Sequence, residues 1–235
     1  VTRALAHAVV ASAVACLPPA AAAGARPAAG NPARGPATAK LQLAARVHAA
    51  PGGTVAGRVA ARRPLTGTPT VLPVIASRRL GGRTWLRVRL PQRPNGATGW
   101  IASDGTVVRR SRWRIAVDRS RRRAAVLRGG RVVRRFPVVV GKPSTPTPLG
   151  HFFVAERVRQ PAGSALGPWV LATSAYSDVL QEFDGGPGQI GLHGRTGLPG
   201  ALGTAASHGC VRFADRAIAW LARRATPGTR VRIRR

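Results

Sequence analysis

Turn-forming glycine pairs and an Asn-Gly step separate short runs of alternating apolar and polar residues along this chain, and that pattern constrains the fold most. Gly81-Gly82, Asn95-Gly96 and Gly129-Gly130 separate runs that alternate apolar with polar positions. The runs are TVLPVIAS, TWLRVRLP and ATGWIAS in the first half and RWRIAVD, RAAVLR and RVVRRFPVVVG in the second. A period of two buries one face of a strand, and paired glycines supply the positive φ of a tight hairpin. HFFVAE, WVLATSA and QIGLHG continue the series. Only ADRAIAWLARRA has a helical period. Asp215 is placed to cap it, and Ile218, Leu221, Ala222 and Ala225 fall on one face. Pro227-Gly228 ends it and TRVRIR returns as a strand. The expectation is a mainly β fold. A small all-β barrel covers residues 41–108, and a second β-rich domain with one short helix covers 112–234. There is no internal repeat.

Ahead of the first strand candidate, Arg3 precedes the short apolar run ALAHAVVASAVACL, and small residues follow it. This pattern predicts an export signal over residues 1–25 and a cell-wall or extracytoplasmic location. The run is shorter than the ~20 residues of a membrane span, so no stable transmembrane span is expected. The small, proline-rich segment 26–40 reads as a flexible linker. Cys16 could anchor a lipid, but Ala13 stands where such signals favour a larger aliphatic residue. Cleavage would remove Cys16 and leave Cys210 with no partner for an internal disulfide.

Charge adds a second constraint. There are 38 basic against 7 acidic residues, for a formal net charge of +31, and all the basic residues but Lys40 and Lys142 are arginine. Codon bias accounts for such a skew, and so does an anionic partner. The arginines are spread along the whole chain, which together with export argues against nucleic acid and favours anionic wall polymers.

Cys210 lies in AASHGCVRF, and His193 precedes it by 17 residues at the end of QIGLHG. A thiol attacks a carbonyl as thiolate, and an imidazole can take its proton. Both His193 and His208 qualify. A loop through RTGLPGALGTAA could return the chain to His193, while an extended segment would put His208 on the same face as Cys210. Gly209 leaves room for a substrate carbonyl and frees backbone N–H groups for an oxyanion. No metal site is expected. His193, His208 and Cys210 lack a fourth ligand, since Asp215 belongs to a helix start. Glu182 and Asp184 form the only close acid pair, too little for paired-carboxylate chemistry. Neither a phosphate loop nor G-x-S-x-G occurs, and no cofactor is expected. Segment 157–189 reads as a lid because RQPAGSALGPW and FDGGPGQ are Gly/Pro-rich, with Tyr176 a candidate to line the pocket.

LHG followed by SHGCVR resembles the signature of the YkuD-type L,D-transpeptidases, which cross-link bacterial peptidoglycan. FPVVVGKPSTPTPLGHFFV and RAIAWLARRATPGTRVRI resemble further parts of that domain, so the likeness spans Arg112 to Ile233. Leu192 and Phe213 depart mildly from the family pattern and touch no reacting atom. Residues 41–108 resemble a bacterial SH3-like domain. The resemblance implies a YkuD-like catalytic fold in which Cys210 is the nucleophile and His193 the general base. It implies that His208, Ser207 and Gly194 belong to the motif and pocket, that Gly209 and the Cys210 N–H stabilise the oxyanion, and that Arg212 orders the site or meets a substrate carboxylate. The implied reaction transfers an acyl group from a tetrapeptide stem to a second stem, giving a 3→3 cross-link through a Cys thioester. Carbapenems are the expected inhibitors. The alternatives are hydrolysis of the same acyl-enzyme, making an L,D-carboxypeptidase, and a non-catalytic wall-binding protein.

Overall fold

The computed structural model describes residues 35–235, so the export signal, Cys16 and linker residues 26–34 lie outside the described residues. The N-terminal module contains β1 (Ala37–Leu41), β2 (Ala45–His48), β3 (Val55–Val59), β4 (Val71–Leu80), β5 (Arg83–Arg89), β6 (Thr98–Ala102) and β7 (Thr106–Arg110). These seven form one antiparallel sheet in the order β3-β2-β6-β5-β4-β1-β7. The expected linker is corrected here: residues 37–40 are strand, not coil. Thr38 and Ala39 are buried, and β1 pairs with β4 on one side and β7 on the other. Small side chains gave that stretch no apolar signature, yet they fit between two neighbouring strands.

The C-terminal module runs through β8 (Trp113–Asp118), β9 (Arg123–Arg128), β10 (Arg131–Pro137), β11 (Val140–Gly141) and β12 (Gly150–Arg159). It continues with β13 (Trp169–Tyr176), β14 (Gln189–His193), β15 (Ala205–Ser207), β16 (Val211–Arg212), α1 (Asp215–Ala222) and β17 (Arg230–Arg234). Eight strands form a mixed sheet ordered β10-β9-β8-β17-β12-β13-β14-β16, and β11 pairs with β15. The β9–β10 hairpin turns at Gly129 and Gly130, at φ 58° and 91°, as the sequence predicts. Helix α1 packs on β13 and β14, burying Ala217, Ile218, Leu221 and Ala222. No described helix is long and apolar enough to cross a membrane.

Strand β12 explains why HFFVAE reads as an unbroken apolar run. Phe152 and Val154 enter the core of the C-terminal sheet, whereas Phe153 and Ala155 enter the core of the N-terminal sheet. A strand buried on both faces loses polar alternation. A register shift between Val154 and Glu156 turns Glu156 toward the N-terminal side as well. There its buried carboxylate accepts the Leu65 N–H, the Thr66 N–H and the Thr66 hydroxyl, with Arg63 Nε at 3.5 Å.

Segment 157–189 is not a lid along its whole length. Its middle is β13, whose Leu171, Ala172, Thr173, Ser174 and Ala175 are all buried, and only 160–168 and 177–188 lie outside strands.

Candidate active site

The site forms where β14 meets the turn before β16. Along β14, Gly191 and His193 are two residues apart and share a face. Strand β16 pairs with β14 in parallel, Leu192 opposite Val211 and His193 opposite Arg212, which sets Cys210 beside Gly191. The Gly191 N–H donates to Cys210 Sγ at 3.3 Å. A Cβ placed on Gly191 would lie 3.6 Å from His193 Cδ2 and 3.9 Å from Cys210 Sγ. The missing side chain therefore leaves space against both the imidazole and the sulfur.

The imidazole has one defined role for each nitrogen. His193 Nδ1 lies 2.6 Å from the Gly194 carbonyl, which can only accept, so Nδ1 carries the proton and Nε2 is left as acceptor. Burial pushes the His193 pKa down to about 4, with nearby Arg212 adding to the effect and the Gly194 hydrogen bond and Asp215 opposing it. Burial also raises the Cys210 thiol, against the pull of the Gly191 N–H and Arg212. At neutral pH the pair therefore rests as thiol and neutral imidazole.

Ser207 and two threonines shape the turn that carries the sulfur. The Ser207 hydroxyl donates to the Cys210 carbonyl at 2.6 Å and accepts the Gly209 N–H at 3.2 Å. Thr147 donates to the Gly209 carbonyl at 2.8 Å, Thr145 donates to the Ser207 carbonyl, and the Lys142 N–H bonds the same Ser207 oxygen. Gly209 has φ 116°, and a Cβ there would meet Ile190 at 2.9 Å, so only glycine fits. The Cys210 N–H makes no hydrogen bond among the described residues.

Other predicted residues lie further from the sulfur. Arg212 is buried and donates to the Pro199 carbonyl at 2.7 Å, holding the loop between β14 and β15. Gly194 continues from His193 and donates its N–H to the Leu166 carbonyl. His208 is exposed and stacks on Phe183, with ring centroids 5.0 Å apart, so the arm 177–188 reaches the motif through that pair. Tyr176, the expected pocket candidate, is engaged with the other module. Its hydroxyl donates to the Pro91 carbonyl and Arg93 lies over its ring, tying it to the β5–β6 loop. Asp215 does not cap α1, whose N-cap is Ala214. Its carboxylate instead accepts the Arg195 N–H and the Thr196 hydroxyl, bracing the chain just past His193.

Sequence reasoning missed Gly191, Asp215 as a brace, and the separate duties of Thr145 and Thr147. The signals were present as a glycine two residues before the histidine and as threonines two apart.

A family model described as YkuD, the L,D-transpeptidase catalytic domain, matches residues 112–233. The putative L,D-transpeptidase YkuD of Bacillus subtilis is 31% identical over 123 residues, 52% of this chain and 66% of that protein. Its namesake in Bacillus licheniformis is 32% identical over 121 residues, 52% and 65% of the two chains. The chain thus spans just under two thirds of these relatives. A solved L,D-transpeptidase from Mycobacterium smegmatis aligns over 72% of this chain and 100% of its own, at 18% identity and a TM-score of 0.42. With its family model matched across β8 to β17, from Trp113 to Ile233, the chain belongs to the YkuD family of L,D-transpeptidase catalytic domains.

Proposed function

We propose that the chain is a peptidoglycan L,D-transpeptidase that forms 3→3 cross-links through a thioester on Cys210. The observation that carries this reading is the gap at Gly191, flanked by the imidazole and the sulfur. A thiol and a neutral imidazole that both border one glycine suit proton transfer as the sulfur attacks.

In the first step Cys210 Sγ bonds to the carbonyl carbon of the third residue of a tetrapeptide stem, and its proton passes to His193 Nε2. The oxyanion takes the Cys210 N–H at the glycine turn, an arrangement typically worth ~3 kcal/mol. His193 returns the proton to the departing amine, the terminal residue leaves, and the thioester remains. In the second step the side-chain amine of a neighbouring stem attacks, gives a proton to His193, and displaces the sulfur, which regains it. Water in place of the amine would make the same site an L,D-carboxypeptidase.

Ser207, Thr145 and Thr147 hold the turn, and Arg212 and Asp215 hold the loop beyond His193. The 177–188 arm, with Phe183 on His208, frames the approach. The reading places the enzyme outside the membrane, after removal of an export signal, with the N-terminal module as an SH3-like accessory unit.

The test is intact-mass spectrometry after incubation with a carbapenem or a tetrapeptide muropeptide. Wild type should gain one covalent adduct, and Cys210→Ala should gain none. An adduct that survives the substitution would remove Cys210 from the mechanism.

A further inference from the structure

Far from the thiol, the two modules meet along a groove of about 540 Å³. Arg109 and Arg110 enter it from the end of β7, Arg112 from the connection to β8, and Lys40 from β1. Arg128 closes it from the end of β9, and Arg223 and Arg224 from the turn after α1. No carboxylate lines it. The chain has 7 acidic residues, and each is placed elsewhere. Asp104 pairs with Arg83, Asp118 with Arg121 and Arg234, and Glu156 with Arg63. Asp178, Glu182 and Asp184 belong to the arm that reaches His208, and Asp215 braces the loop past His193. Positive charge therefore gathers in the groove without neutralisation, while most of the acids gather around the thiol end.

The arginines are also held in place. Arg128 stacks over Trp113 at 5.6 Å and Arg224 over Trp220 at 4.0 Å. Arg224 also donates to the Trp220 carbonyl, and Arg110 to the Gly35 carbonyl. A guanidinium stacked on an indole keeps its N–H edge free for an oxyanion and loses less side-chain freedom on binding. The groove lies on the β8 side of the sheet. Strands β17, β12, β13 and β14 stand between β8 and β16, so at ~4.8 Å per strand the path across the sheet from β8 to the Cys210 turn is roughly 24 Å.

We propose that this groove is a docking site for a linear phosphodiester polymer, engaged while the thiol site stays open. A row of fixed guanidiniums with no acid suits phosphates spaced along a chain, each taken through a forked pair of N–H groups. Nucleic acid fits less well, because single strands need free aromatic faces for their bases and the Trp113 face here is occupied by Arg128. The proposal extends the wall-facing reading above by giving it a binding site, but it does not depend on the acyl chemistry.

The test uses a fluorescent synthetic poly(glycerol phosphate) of about ten repeats and the full chain. The variant R109Q/R112Q/R223Q removes three exposed groove charges and spares the stacked arginines. The control R78Q/R79Q/R87Q removes three exposed charges from the N-terminal sheet. The groove variant should bind at least about tenfold more weakly and show a salt dependence shallower by about two in log–log slope. The control should stay within about twofold of wild type, and both variants should be acylated by a carbapenem at the wild-type rate. Equal losses in the two variants, or no binding by wild type, would overturn the proposal. So would tighter groove-dependent binding of a 20-nucleotide single strand or of phosphatidylglycerol vesicles. Failed acylation of wild type with polymer binding intact would count against the proposed reaction and leave the groove standing.

Discussion

Cys210 and His193 rest uncharged for the same reason: each loses more to burial than its oppositely charged neighbour, Arg212 or Asp215, returns. Two expectations belong at this scale. With the imidazole lowered to about 4, carbapenem acylation should hold its rate well below pH 6 and fall only near pH 4. It should rise again on the alkaline side as the thiol ionises. Stopped-flow rates across pH 3.5 to 10 would check this, and an acid limb near 6.5 would mean an exposed imidazole. The same burial affects stability. Above pH 6.5 His193 is neutral folded or unfolded and contributes no pH dependence. Between 6.5 and about 4 the unfolded chain takes the proton first, so stability falls as pH falls, by up to about 3 kcal/mol. His193→Gln should blunt that acid sensitivity in thermal melts. A different substitution tests the gap. Gly191→Ala would put a methyl 3.3 Å from Val170 Cγ1, tight but tolerable, and against both base and nucleophile. Its melting temperature should move little while acylation slows by about a hundredfold, the scale of a ~1 Å misplacement of reacting groups.

At the scale of elements, the strands with period two were legible in the sequence, and so were the hairpin at Gly129-Gly130 and the buried face of α1. Strand β1 was not, because Ala37, Thr38 and Ala39 are small and acquire meaning only between β4 and β7. Strands β15 and β16 span three and two residues, too few to show a period. The site divided in the same way. Cys210, His193 and Gly209 announced themselves by residue type, whereas Thr147 acts on Gly209 across 62 residues of chain. The contact of Tyr176 with Pro91 was not legible, because Pro91 lies in the other module. The loop carrying Pro91 also grips the arm. Arg93 donates to the carbonyls of Ser177, Leu180 and Pro187 at 2.8, 3.1 and 3.2 Å, and Asn95 bonds Tyr176 and Asp178. Arg93→Ala should speed hydrogen exchange across 177–188 while the global melting temperature shifts by only a few degrees, since the lost bonds are local. Unchanged exchange there would show that the arm holds itself.

Across the whole molecule, the two sheets are joined through β12. Glu156 is fully buried and serves three donors from the N-terminal module beside Arg63. Glu156→Ala should cost about 3–5 kcal/mol in denaturant titration, the usual penalty for removing one partner of a buried ion pair. The loss should appear in one cooperative transition rather than in the N-terminal half alone.

Phe152 and Phe153 are neighbours in the chain yet belong to different cores. Covalent continuity through Ser111 is therefore not what keeps the halves together. A protease nick at that bridge would leave two pieces still clasped along one strand. The catalytic half cut free of its companion would carry Phe153 and Ala155 bare to water, as an adhesive face in search of any apolar surface. In this chain the N-terminal module lines the back of the C-terminal sheet, and the two fold and unfold together.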